Sequence, residues 1–262
     1  MILCLDLGNS NIFGAVYSQN ELLLQFRYPS DEKLTSDQLG IFFRQVLQEN
    51  NLDYTAINHV GYCSVVPSLD YSVQSAFIKY FNKKPFVLQP GVKTGIKIKS
   101  KNPLEVGSDR IANAISAHHQ FPDKNIIIID FGTATTLDTI NTKAEYLGGV
   151  ILPGLKISMR ALSNYTAKLA PVSIIKPERT LGQTTVSNIQ SGLYFGHIGA
   201  VRYLVEKIKL ETFATDLEIV VIGTGGFATL FAEEDLFTCI MPDLTLQGVR
   251  LTLMKNLSLI PC

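Results

Sequence analysis

The feature that most constrains the fold of this chain is an internal echo. Residues 2–11 read ILCLDLGNSN and residues 126–135 read IIIIDFGTAT. Each copy opens with an apolar run of buried-strand type. Asp, one apolar residue, Gly and a short run rich in Ser, Thr or Asn come next. Asp6 and Asp130 stand close to half the chain apart. A similar hairpin pattern follows each loop, NIFGAVYSQNELLLQ in the first half and TTLDTINTKAEYLGG in the second. Two halves that open with the same strand–loop–strand unit predict a duplicated α/β architecture with a cleft between the copies.

The intervening stretches fill out that plan. Leu39, Phe42, Phe43, Val46 and Leu47 fall at helical spacing after a capping-box pattern, Thr35 to Gln38. INHVGYCSVV (57–66) reads as a strand, and Leu69, Val73, Phe77 and Tyr80 share one face of a second helix. A long helical pattern runs over 184–210 and contains Gly192, Gly196 and Gly199. Glycine weakens a helix unless close packing gains from it, and a second copy of the chain is one candidate for that packing. EIVVIGTGG (218–226) reads as a strand entering a glycine turn, and IKIKSK (96–101) as a solvated edge strand.

Acidic and basic residues balance at 23 each, so no global field draws the chain to nucleic acid or to an anionic membrane. Phosphate recognition, if present, is local. Cys4, Cys63, Cys239 and Cys262 lie far apart with no C-x-x-C, the pattern of incidental thiols in a reducing compartment. No stretch approaches the roughly 20 apolar residues of a membrane span, and the expected location is the cytoplasm.

In DLGNSN, Gly8 lets backbone N–H groups approach phosphate oxygens, and Asn9, Ser10 and Asn11 add side-chain donors. Asp6 is placed to hold Mg²⁺ directly or through water, since hard cations prefer carboxylate oxygen. A plain hairpin turn has the same composition, and one copy alone favours the turn. The second copy, with Gly132, Thr133, Thr135 and Thr136 after Asp130, makes coincidence the weaker account. IGTGG (222–226) supplies a glycine turn suited to an adenosine. EVGSDR (105–110) precedes a helical pattern; Ser108 caps it in the bland reading, leaving Asp109 and Arg110 in the first turn. In the functional reading Asp109 is a general base and Arg110 an anchor for an anionic substrate. The four histidines show no metal-ligand spacing.

Taken in order, DLGNSN, EVGSDR, DFGTATT, GGVILPG (148–154), GQTTVSNIQSG (182–192) and GTGG resemble type III pantothenate kinases over about residues 2–250. The resemblance implies duplicated ribonuclease-H-like (actin-like) domains with mixed sheets flanked by helices, at 1–116 and 117–262. It implies ATP-dependent phosphorylation of pantothenate, the first step toward coenzyme A, in a homodimer. Residues Asp6 to Phe13, with Gly8, Asn9, Ser10 and Asn11, would form the first ATP loop, with Asp6 near Mg²⁺. Gly132 and Thr133 would contact ATP in the second, where Asp130 would bind K⁺ or NH₄⁺. Gly107, Ser108, Arg110 and Thr185 would contact pantothenate, and Asp109 would take the proton of its primary hydroxyl. Ser100 stands where many relatives have a Tyr that helps enclose the substrate, and Asp138 matches no assigned role. Rival readings are another actin-like small-molecule kinase or phosphatase, or an ATP-binding accessory factor in transcription.

Overall fold

A computed structural model of the chain describes residues 1–213 and 218–257; Cys262 lies outside the described residues. The chain divides into two compact units, one of residues 1–96, 100–116 and 244–262, the other of 97–99 and 117–243.

The first unit is built on a five-stranded sheet. Its strands are β1 (Ile2–Leu7), β2 (Asn11–Ser18), β3 (Glu21–Pro29), β4 (His59–Ser64) and β5 (Phe86–Val87), in the order β3-β2-β1-β4-β5. The β1–β2–β3 meander is antiparallel, whereas β4 pairs β1 in parallel, with Asp6 opposite Phe13 on one side and Cys63 on the other. Parallel pairing needs a crossover, and helix α1 (Ser36–Glu49) supplies it between β3 and β4. Helix α2 (Pro67–Phe81) plays the same part between β4 and β5. The capping box forms as the sequence predicts: Thr35 Oγ1 accepts from the Gln38 amide and the Thr35 amide donates to Gln38 Oε1.

Alternation along β1 sends Leu3, Leu5 and Leu7 to one face, where they meet Leu39, Phe43 and Leu47 of α1 and Leu69, Val73 and Phe77 of α2. Phe43 and Phe77 stack with ring centroids 5.0 Å apart, at the centre of that layer. Helix α7 (Leu244–Asn256) packs on β1 and β4 in the same unit. Gly61 of β4 admits it: a Cβ there would sit 3.3 Å from Val249 and Leu253. Helix α3 (Ser108–Gln120) approaches α7 so closely that a Cβ on Gly248 would overlap the Ala112 backbone, and Thr245 Oγ1 donates to Asn113 Oδ1 at 2.7 Å.

The second unit repeats the plan. Strands β7 (Asn125–Phe131), β8 (Ala134–Ile140), β9 (Glu145–Pro153), β10 (Ile219–Thr224) and β11 (Cys239–Ile240) lie in the order β11-β10-β7-β8-β9. Strand β6 (Lys97–Ile98) extends the far edge beside β9, where Lys97 is exposed. Helix α4 (Leu155–Tyr165) follows β9. The helical pattern over 184–210 runs as α5 (Thr185–Ser191), a π-helical turn over Gly192–Gly196, and α6 (His197–Thr212). Ile189, Leu193, Ile198, Val201 and Val205 from this run cover Ile127, Ile129 and Phe131 of β7. A Cβ on Gly192, Gly196 or Gly199 would meet no described atom within 4 Å, so nothing described covers that stripe. No helix among the described residues is long and apolar enough to cross a membrane.

Candidate active site

Within the first unit, β1 turns into β2 through Gly8, Asn9 and Ser10. The Gly8 amide donates to the Asn11 carbonyl at 3.1 Å, closing the loop, and Asn9, Ser10 and Asn11 are exposed. Asp6, two residues before Gly8, is half-buried, and Cys63 Sγ lies 3.5 Å from its Oδ1 across the parallel β1–β4 register. Burial pushes the Cys63 thiol well above its ordinary pKa, and the negative charges of Asp6 and Asp109 push it further the same way. A neutral thiol therefore lies within the field of both carboxylates.

Asp109 is held at the first turn of α3. Its Oδ1 accepts from the Arg110 amide at 2.7 Å. Gly107 makes room for that carboxylate, because a Cβ there would overlap Asp109 Oδ1. Ser108 does not cap the helix as the sequence suggests: α3 begins at Ser108 itself. The Ser108 hydroxyl instead takes both backbone groups of Ser64, accepting from its amide at 3.0 Å and donating to its carbonyl at 2.9 Å. The end of β4 offers those groups unpaired by any helix, so the hydroxyl satisfies two partners there rather than one in its own turn. The result ties the Asp109 turn to the strand that carries Cys63.

In the second unit the β7–β8 turn repeats the closure, with the Gly132 amide donating to the Ala134 carbonyl at 3.1 Å. Thr133 is exposed, and its carbonyl accepts from the Gly154 amide at 3.2 Å. Gly154 is obligatory in that contact, since a Cβ would overlap the Thr133 carbonyl and lie 2.6 Å from that of Gly132. Half-buried Asp130 is flanked by the glycine turn: Gly225, at φ +86°, would drive a Cβ into Asp130 Oδ1 and the Phe131 backbone. Thr135 is buried with its hydroxyl 2.9 Å from His197 Nε2, and burial lowers the His197 pKa. Asp138 is fully buried on β8 and accepts from the Tyr146 hydroxyl at 2.5 Å and the Thr136 hydroxyl at 3.1 Å. Thr185 is exposed at the start of α5, beside an open cavity also lined by Ser158, Leu162, Asn188 and Gly192.

Each loop thus offers one half-buried carboxylate beside backbone amides and hydroxyls. Among the described residues no three His, Cys, Asp or Glu gather into a metal cluster. A single carboxylate that shares a cation with substrate phosphates is the arrangement Mg²⁺ favours.

A family model described as type III pantothenate kinase matches residues 2–207. That span takes in both loops, the Asp109 turn and Thr185. The chain belongs to the type III pantothenate kinase family. A relative from Legionella pneumophila (strain Paris), itself named type III pantothenate kinase, is 54% identical over 256 residues, covering 98% of this chain and 99% of the relative. Among solved structures, a Campylobacter jejuni protein assigned to the Baf family of transcriptional activators matches with TM-score 0.60 at 21% identity, covering 98% and 99% of the two chains. A Sinorhizobium meliloti protein assigned as a 2-dehydro-3-deoxygalactonokinase matches with TM-score 0.59 at 10% identity, covering 100% and 99%. At such identities the structural likeness speaks for the fold alone, and that fold is the duplicated actin-like one.

Three further residues shape the loops of this pantothenate kinase family member without any motif announcing them. Ser30 holds the first loop, donating its hydroxyl to the Gly8 carbonyl at 2.6 Å and its amide to the Ser10 carbonyl at 3.2 Å. Cys63 backs Asp6, and His197 meets Thr135. The only sequence signal for Ser30 is its place after Pro29, which ends the β2–β3 ladder at Asn11.

Proposed function

We propose that this chain transfers the γ-phosphoryl group of ATP to the primary hydroxyl of pantothenate, with Asp109 as the base. ATP-dependent phosphorylation of pantothenate in coenzyme A biosynthesis is the activity that gives the family its name, and this chain is a member over most of its length. The observation that carries the mechanism is the confinement of the Asp109 carboxylate between Gly107 and the Arg110 amide, close enough to Asp6 that both charges bear on Cys63. A base in phosphoryl transfer has to orient the attacking hydroxyl and accept its proton, and a carboxylate with one oxygen already anchored is oriented for it. Gly107, Ser108 and Arg110 border the substrate hydroxyl and its polar end, and Thr185 makes a further substrate contact.

The loop from Gly8 to Asn11, with Phe13 behind it, receives phosphate oxygens on backbone amides, and Gly132 and Thr133 do the same in the second unit. Mg²⁺ at Asp6, direct or through water, and K⁺ or NH₄⁺ at Asp130 would offset charge on the phosphates. Positioning and charge stabilisation then supply most of the rate, since loose phosphoryl transfer needs little covalent help. The chain acts as a homodimer in the cytoplasm on a small molecule and without nucleic acid. The uncovered Gly192–Gly196–Gly199 stripe, the exposed Val186 just before it and the exposed Ile157, Leu162 and Tyr165 of α4 support the dimer. The balanced charge supports the absence of nucleic acid.

The test is ADP release by purified protein with Mg²⁺-ATP, with and without pantothenate, in Na⁺ and in K⁺ buffer. Pantothenate-dependent release that rises in K⁺ is expected. Release indifferent to pantothenate would overturn the acceptor.

A further inference from the structure

The β1–β2 loop carries its own carbonyls as well as its amides, and an anion tolerates only the amides. Where each carbonyl points is therefore as important as where the glycine lies. The peptide unit is planar and trans, so a carbonyl drawn to one side sends the N–H of the next residue to the opposite side. In this loop two carbonyls are drawn to the same residue. Gly8 O accepts the Ser30 hydroxyl at 2.6 Å, and Ser10 O accepts the Ser30 amide at 3.2 Å. The N–H groups that share those peptide planes belong to Asn9 and Asn11, both exposed.

We propose that Ser30 is a positioning residue for the first phosphate loop, holding the Gly8 and Ser10 carbonyls on one side so that the Asn9 and Asn11 amides face ATP phosphates on the other. The assignment rests on reading residues 8–11 as an ATP loop. Chain geometry explains why a residue 22 positions away does this. Strand β3 ends at Pro29, opposite Asn11 in the ladder; N–H groups alternate sides along a strand, so the position after Pro29 again faces β2. The next residue, half-buried Ser30, continues that register directly beside the loop, its amide on the Ser10 carbonyl and its hydroxyl on the Gly8 carbonyl. An alanine keeps the amide contact and loses the hydroxyl contact; a threonine keeps both.

The experiment compares steady-state kinetics of the wild type, Ser30→Ala and Ser30→Thr, varying Mg²⁺-ATP and pantothenate separately, alongside melting curves. Loss of one hydrogen bond of ordinary strength corresponds to roughly a fivefold rise in KM for ATP in Ser30→Ala. KM for pantothenate should move less than about twofold, and Ser30→Thr should return KM for ATP to near wild type. An unchanged KM for ATP would overturn the proposal. So would parallel rises in both KM values with a lowered Tm that Ser30→Thr fails to rescue, the signature of a merely structural hydroxyl. If Ser30→Ala does not fold, Ser30→Cys keeps the shape with a weaker donor; a smaller rise in KM for ATP is expected, and no rise overturns the idea. Asp6→Asn separates the two layers of argument. Weaker Mg²⁺-ATP binding in Asp6→Asn with none in Ser30→Ala removes only Ser30, whereas no change in either removes the phosphate-loop reading itself.

Discussion

The two acidic loops occupy the same place in the same topology, yet they are held by different means. In both, a carboxylate sits one residue before the end of the first strand, and a glycine amide closes the turn at 3.1 Å. The first loop has one residue more: Asp6 pairs with Phe13, whereas Asp130 pairs with Thr136. The first loop is pinned by the hydroxyl and the amide of Ser30, on the Gly8 and Ser10 carbonyls; the second is pinned by the Gly154 amide on the Thr133 carbonyl. Behind Asp6 stands a thiol, Cys63, at the facing position of the parallel neighbour. Behind Asp130 the facing position is Thr224, whose hydroxyl is turned away to the Met241 carbonyl, and Gly225 presses on the carboxylate instead. Duplication preserved the carboxylate and its register, while the surroundings diverged. The proposal of Mg²⁺ at one loop and a monovalent cation at the other assigns different tasks to these two surroundings.

The comparison breaks most readily at Asp109, which belongs to the first unit and has no counterpart in the echo of the second. Asp109→Asn is expected to lower kcat by about 10²–10⁴ while leaving ATP affinity near wild type. Single-turnover rates and equilibrium nucleotide binding measure the two separately; loss of both would make Asp109 structural. The second unit should respond to its glycines. Gly225→Ala places a side chain at φ +86° and against Asp130, whereas a Cβ on Gly226 meets no described atom within 4 Å. Gly225→Ala is therefore expected to cost about 1–3 kcal/mol and to raise KM for ATP. Gly226→Ala should change neither by much, and equal effects at the two positions would refute the packing argument.

The smallest effect concerns His197. Burial depresses its folded pKa, so the unfolded chain binds more protons as pH falls through the ordinary histidine range near 6.5. Its contribution to stability is present above that range and is lost below it. Urea midpoints at pH 7.5 and 5.5 should show a smaller acid loss in His197→Gln than in the wild type, and an equal loss would assign the effect elsewhere.

Much of this was legible in the sequence because it depends on neighbours along the chain. Strand, Asp and Gly in fixed order give both hairpins, Thr35 and Gln38 give a helix start, and Lys97 and Lys99 mark an edge. What escaped depends on residues far apart. Ser108 suits an N-cap by its type, but the free backbone of Ser64 outcompeted its own helix. Ser30 and Gly154 are unremarkable until the fold brings each against a loop carbonyl. Helix α7 is buried at Leu244, Leu246, Val249, Leu251 and Leu253, so it lacks a clear amphipathic face. Chain order suggests the second half for it, and packing on β1 and β4 places it in the first unit. Asp138, a carboxylate in the middle of a predicted hairpin, becomes intelligible once Tyr146 and Thr136 are seen to donate to it.

The division of labour between the echoing loops is tested most directly by titrating K⁺ and Mg²⁺ separately against pantothenate-dependent ADP release, in the wild type and in the Asp6→Asn and Asp130→Asn variants. Asp130→Asn should abolish the response to K⁺ and keep the wild-type Mg²⁺ requirement, while Asp6→Asn should raise the Mg²⁺ requirement and keep the response to K⁺. The same shift in both titrations from either substitution would contradict the assignment of one cation to each loop.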